Sequence, residues 1–311
     1  MAPPTSTPAP APAPAPLPAS APVMAAKPAP ARLDWRYLVY RVRRSPLTIV
    51  GLVMILAVFV AITLVPQVLP LDPNTVNLRA RLAPPSAAHW FGTDEVGRDI
   101  FTRTIYGGRI SVSIGFFVVI LSGTIGSAMG GLSGVIGGRL DTITMRLMDV
   151  LLSVPSLVLT MALAAALGPS LWNAMLAIAL VRVPAYVRLA RGQTLTIREA
   201  AYVKAARTFG ARPWQILRWH VAANALPPII VQATLDLGAT ILMASALSFI
   251  GLGAQPPAAE WGAMIAVARN YILDQWWYSA FPGAAILFTA IGFNLFGDGL
   301  RDLVDPKQKV R

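Results

Sequence analysis

Residues 194–228, TLTIREAAYVKAARTFGARPWQILRWHVAANALPP, form a basic, mixed-polarity stretch set between two apolar runs. Its first half reads as a short helix with both ends marked. Thr196-Ile197-Arg198-Glu199 has the form of a capping box, in which the threonine hydroxyl accepts from an orphan amide and the glutamate reaches back. Gly210 supplies the residue that most easily takes the left-handed stop. Pro213 can open the next helix, where no amide donor is needed. Tyr202, Ala206 and Phe209 fall at i, i+4 and i+7 and make one apolar face. Arg198, Lys204 and Arg207 add positive charge at its edges. A helix–glycine–helix unit lodged between apolar runs reads as a docking element.

The flanking runs settle the class. Hydrophobic residues make up 55% of the 311, and charged residues only 13%, whereas soluble domains carry about a quarter charged residues. The chain therefore reads as an all-α membrane protein. Six runs approach the roughly 20 residues that cross the hydrocarbon: Leu47–Val65, Ile110–Ile136, Val150–Leu167, Leu171–Val187, Leu226–Leu252 and Trp276–Leu295. Only Gly168-Pro169-Ser170 separates the third from the fourth, which predicts a tight helical hairpin.

The net charge of +12 could suggest nucleic acid, but its distribution favours membrane topology. Lys27, Arg32, Arg36, Arg41, Arg43, Arg44, Arg139, Arg146, the basic residues from Arg188 to Arg218, Arg301, Lys307, Lys309 and Arg311 fall in alternate connections. By the positive-inside bias, those connections and both termini face the cytoplasm. Four parts follow. Residues 1–31, rich in Ala and Pro, predict an extended, disordered cytoplasmic tail without the apolar core of a signal peptide. Residues 32–109 hold the first span and an extracytoplasmic loop. Residues 110–302 hold the other five spans and the docking helix, and 303–311 are a short cytoplasmic tail.

Ser122, Gly126, Gly130, Gly134 and Gly138 place a small residue at every fourth position of the second span. Such a stripe admits a second helix at close range, either within the chain or from another subunit. Asp236 lies about 15 Å into the fifth span and Arg182 about 8 Å from the inner end of the fourth. Charges at that depth are paired or line a wet cavity, so the two either fix helix packing or border a path.

Few residues are suited to catalysis. There is no cysteine, and the only histidines are His89 and His220, so a metal site built on them is disfavoured. No Gly-Lys pair exists to end a P-loop, and no serine has a nucleophile's setting. No catalytic group, metal or cofactor is expected. The outer segment Pro84–Arg109 alternates charge through Asp94, Glu95, Arg98, Asp99, Arg103 and Arg109. It reads either as a solvated loop or as a receiver for an external partner.

Three motifs now combine. They are His89-Trp90-Phe91-Gly92-Thr93-Asp94 with Gly97-Arg98-Asp99, Tyr202-Val203-Lys204-Ala205-Ala206-Arg207 with Gly210-Ala211, and the ending Phe293 to Asp302. Over roughly 33–306 the chain resembles the inner-membrane permeases of ABC importers for dipeptides, oligopeptides and nickel, in the second dipeptide permease branch. The runs Leu157–Ala177 and Asn270–Ala285 look most like permeases for D,D-dipeptides such as D-alanyl-D-alanine.

The resemblance implies the type I permease fold in a bacterial inner membrane. It also implies a homologous second permease, two cytoplasmic ATPases, an external binding protein and a peptide substrate, with no nucleic acid. The family's coupling motif, E-A-A-x-x-x-G, counted back from Gly210, falls on Lys204-Ala205-Ala206. A lysine thus stands at the acidic position, and the literal Glu199-Ala200-Ala201 lies five residues too early, its glutamate assigned to capping. Tyr202, Lys204, Ala205, Ala206, Arg207, Phe209 and Gly210 are the implied ATPase-coupling residues. An ordinary interfacial helix is the plain alternative for this segment, and an ATP-independent secondary transporter or channel for the whole chain.

Overall fold

The computed structural model describes residues 45–69 and 72–304, and in it the apolar runs become helices. The Ala/Pro tail, the arginine cluster at 32–44 and residues 305–311 of the C-terminal tail lie outside the described residues. Helix α1, Pro46–Val68, starts with proline at a position that needs no amide donor. It is apolar all round and its apolar window is only 22% buried, against 61% for α5, Leu171–Arg198. Thus α1 lies at the edge of the bundle and α5 near its centre. Between them come α2, Ile100–Ile136, and the pair α3, Gly138–Leu152, and α4, Ser156–Leu167. The short α6, Ala201–Thr208, precedes α7, Pro213–Phe249, which has a π turn at Leu217–Val221. Last come α8, Trp261–Ala268, and α9, Trp276–Val304.

Helix α2 packs most extensively on α5, while α9 packs on α1 and α7. The small-residue stripe explains the first contact. A Cβ on Gly126 would sit 2.8 Å from the Val183 carbonyl, and one on Gly130 would collide with the Val187 carbonyl. On Gly134 it would meet Thr194 Cβ at 2.8 Å. The stripe therefore serves pairing within the chain, except at Gly138, where nothing lies within 4 Å. Gly130→Leu should force α2 and α5 apart and cost about 1–3 kcal/mol, seen as earlier thermal unfolding of the detergent-solubilised protein.

The third span differs from expectation. Instead of one helix over Val150–Leu167, α3 and α4 meet at 90° across Ser153-Val154-Pro155. Proline cannot continue the helical ladder, and it pushes the residue before it out of the helical region. Two ion pairs hold α3 along α5: Arg191 contacts Asp141 through Nε at 2.5 Å and Nη2 at 2.7 Å, and Arg188 Nη2 is 2.5 Å from Asp149. Helix α4, at 1.5 Å per residue, is about 18 Å long, short of the roughly 30 Å core. Among the described residues five helices are long and apolar enough to cross a membrane, or six if the broken pair is one span.

Other boundaries moved, with α7 starting at Pro213 and α9 ending at Val304. Helix α2 begins ten residues before Ile110, where Asp99 accepts from the Thr102 amide at 2.8 Å. Helix α5 runs on to Arg198, so Thr196 lies within its last turn and its hydroxyl donates to the Gly192 carbonyl at 3.2 Å. The capping box is therefore not formed. Helix α8 was not anticipated; its eight residues are too few for a span. Glu260 starts it, accepting from Ala263 N–H at 2.9 Å and the Ser111 hydroxyl at 3.1 Å with no exposed surface. Residues 72–99, α8 and the start of α9 gather at one end of the bundle, the loop end. Helix α6 lies at the other.

Candidate functional site: a short helix, a buried ion pair and a folded loop

Helix α6 is joined to α5 by only Glu199 and Ala200. It stops as its sequence requires. Gly210 has φ +84°, its N–H donates to the Arg207 carbonyl at 2.9 Å, and Ala211 N–H reaches Ala206 O at 3.0 Å. What seats the helix was missed. Val203 is completely buried among Val135, Ile216, Val221 and Ala225. The predicted apolar face points the other way: Tyr202 is 46% exposed and Phe209 91%. Ala205 and Arg207 are exposed and Ala206 half-buried. Val203 was legible as the one branched aliphatic in the helix.

Polar contacts fix the neighbours. Asn224 Nδ2 donates to the His220 carbonyl at 2.5 Å and lies 3.4 Å from the Tyr202 hydroxyl. Arg198 Nη1 donates to Gly134 O at 3.0 Å, tying the end of α5 to α2. Glu199 is no cap. Its carboxylate takes Lys204 Nζ at 3.1 Å and Arg198 Nε at 3.4 Å. The hydrogen bond from Lys204, then its charge, holds the Glu199 carboxyl below the usual glutamate range. A depressed carboxyl stabilises the fold above its unfolded pKa and loses that contribution as pH falls through the folded one. On so exposed a group the effect is small.

Val203→Ala should remove about 2 kcal/mol of burial and loosen α6 on its seat. Faster tryptic cleavage after Lys204 and Arg207 in membranes would report it; unchanged cleavage would mean that Val203 does not anchor the helix.

The two intramembrane charges do meet. Arg182 Nη1 lies 3.6 Å from Asp236 Oδ1, which also takes Gln232 Nε2 at 3.3 Å. Asp236 is 5% exposed. Arg182 Nε, Asp236 Oδ2 and the Tyr186 hydroxyl are buried without hydrogen-bond partners.

Residues 84–109 fold onto the bundle through a buried centre at Thr93 and Asp94, while 84–88 and Trp90 stay exposed. Asp94, fully buried, accepts from the amides of Val96 and Arg98 at 3.0 and 2.8 Å and from Arg98 Nε at 2.5 Å. Arg103 Nε lies 3.6 Å from the same carboxylate, and its Nη groups donate to the carbonyls of Pro73 at 3.0 Å and Pro257 at 3.3 Å. Glu95 accepts from the Tyr278 hydroxyl, which joins the loop to α9. His89 Nδ1 is 2.9 Å from Asp99 Oδ2. Among the described residues no cluster of three metal-ligating groups occurs.

Comparison with known proteins adds two family matches and three relatives. Residues 122–310 match the family described as "Binding-protein-dependent transport system inner membrane component". Residues 34–85 match the "N-terminal TM domain of oligopeptide transport permease C". The chain is 62% identical over 276 residues to the "Probable D,D-dipeptide transport system permease protein DdpC" of Escherichia coli, covering 89% of this chain and 93% of that protein. It is 41% identical to the "Dipeptide transport system permease protein DppC" of Haemophilus influenzae, covering 93% and 98%. The "Glutathione transport system permease protein GsiD" of Pectobacterium atrosepticum is 44% identical, covering 72% and 75%.

Proposed function

Because the chain belongs to the family of binding-protein-dependent transport system inner membrane components, we propose that α6 is the contact through which ATPase subunits drive it. It is a multi-pass inner-membrane permease of an ABC importer, and ATP hydrolysis belongs to separate subunits. A binding protein supplies its solute. The further reading is a heteromeric assembly with a homologous second permease and two ATPases. Both termini and α6 face the cytoplasm, and the loop end faces outward. Residues 32–109 form an N-terminal unit added to a core over 110–302.

The observation that carries the coupling role is the presentation of α6. A branched side chain anchors it, two residues tether it to α5, and an exposed Phe209 projects from its end. The alanines at 205 and 206 keep it thin enough for a groove on a partner. Closure of the ATPases would shift α5 and α7 with it, exchanging inward-open and outward-open states. Tyr202, Lys204, Ala205, Ala206, Arg207, Phe209 and Gly210 are the residues assigned to this contact.

The substrate is a short peptide, and the identity to a D,D-dipeptide permease favours dipeptides ending in two D-residues. The complete complex in proteoliposomes should take up D-alanyl-D-alanine only with ATP inside and binding protein outside, and L,L-dipeptides should compete weakly. Uptake without the ATPases would instead mark a secondary transporter or channel. Equal competition by L,L-dipeptides would restrict the reading to peptides in general.

A further inference from the structure

A charge at membrane depth occurs where it is paired internally or meets water, and Arg182 is only loosely paired. Its closest approach to Asp236, 3.6 Å, is longer than a hydrogen bond, and its Nε has no partner. The side chain is 22% exposed, whereas that of Asp236 is 7% exposed. The side chain therefore reaches the surface of the chain while its counter-charge stays inside. That surface is poorly suited to hydrocarbon.

An independent feature lies at the same depth. Thr160 Oγ1 of α4 is 3.7 Å from Met243 Sδ of α7. Away from the loop end, α4 runs only four more residues, about 6 Å, to Ser156 before the 90° break, and α7 reaches Asp236 seven residues, about 10 Å, from Met243. Residues 152–158 are exposed without interruption, and α4 starts with no side-chain cap. Irregular backbone at membrane depth is found only where protein or a water-filled cavity covers it.

We propose that this level of the chain borders the aqueous path and that Arg182 is a transient station for the carboxylate end of the passing peptide. The inference rests on the transport reading above. A guanidinium offers forked donors that match a carboxylate, and here they are engaged only loosely. The incoming carboxylate takes the place of Asp236 on Arg182. Asp236, left behind, is within electrostatic reach of the Tyr186 hydroxyl and remains bound to Gln232. When Asp236 regains Arg182 the peptide is released, as a path requires of sites that must not trap their cargo.

The absence of cysteine makes the test direct. Ala185 is exposed and shares a helix face with Arg182 at i+3. Ala185→Cys and Ser153→Cys are placed singly in the full complex in membranes, with Leu56→Cys, 52% exposed on α1, as the lipid-facing control. Each is treated with sulfonatoethyl and trimethylammonioethyl methanethiosulfonates, and labelling of this chain is read by mass. Both path positions should react at least about tenfold faster than the control. Relative to a free thiol, Ala185→Cys should favour the anionic reagent about tenfold, and Arg182→Gln should erase that preference. Silent probes at both positions, or a preference that survives Arg182→Gln, would overturn the proposal. Ser153→Cys alone decides wetness if Ala185→Cys does not assemble, and Arg182→Gln is then read against it. The unsubstituted complex is assayed for ATP-dependent uptake in the same membranes. No uptake there counts against the transport reading, whereas uptake with silent probes counts only against this inference.

Discussion

Gly210→Val is expected to lower ATP-driven peptide uptake more than tenfold while the complex still assembles. The residue sits at φ +84°, and a Cβ added there would meet nothing within 4 Å. The penalty therefore comes from the backbone alone, about 1–2 kcal/mol for a side chain forced into the left-handed region, and more for a β-branched one. The chain can relieve that strain by abandoning the closing bonds from Gly210 and Ala211 to the carbonyls of Arg207 and Ala206. The last turn then frays and Phe209 leaves its position. Gly210→Asn, which tolerates the same conformation, should retain most uptake, and Gly210→Ala should fall between. Transport rates in proteoliposomes, set against the amount of assembled complex, give the measurement. A valine variant that transports normally would remove α6 from the coupling contact.

Asp94→Ala should be the most damaging single change at the loop end, destabilising the protein by about 3–5 kcal/mol. The carboxylate is wholly buried and answers two amides and two guanidinium groups. Deleting it leaves Arg98 and Arg103 facing each other without the charge that separates them. Removing one partner of a buried ion pair costs more than the pair contributes, because the other is left uncompensated. Asp94→Asn keeps an acceptor for the Val96 and Arg98 amides and should cost less. The expected signs are an earlier thermal transition and rapid tryptic cleavage after Arg79 and Arg81. If cleavage is unchanged, the loop is held by the close approach of Gly97 to Asn77 and the stacking of Phe91 on Phe281, not by the ion cluster.

The spans were legible because nothing competes with an apolar run of that length in an otherwise charged-poor chain. Gly210 and Pro213 were legible because each has one conformation it accepts far better than its alternatives. The capping box failed for a reason of context. Thr196 and Glu199 have the right spacing, but α5 continued through them, and a threonine inside a helix bonds back to the carbonyl four residues earlier. The face of α6 was read by counting large apolar residues, which misled because two of them, Tyr202 and Phe209, point outward while Val203 supplies the anchor. Partners distant in the chain were beyond any local pattern. Glu95 with Tyr278, Arg103 with Pro257 and Ser111 with Glu260 are joined only by the packing of helices. The meeting of Arg182 with Asp236 was open to inference because two isolated charges at similar depth have few other ways to be tolerated.

The two residues between α5 and α6 leave almost no slack, and this sets a mechanical gain. Helix α5 has 28 residues, so its length is about 42 Å at 1.5 Å per residue. Pivoted near the glycine contacts with α2, it would act as a rocker arm. From that pivot, near Val187, a tilt of about 10° sweeps the Leu171 end, roughly 24 Å away, through about 4 Å. A small stroke at α6 is thereby enlarged at the opposite end. A longer, softer joint at 199–200 would absorb the stroke before it reached the arm.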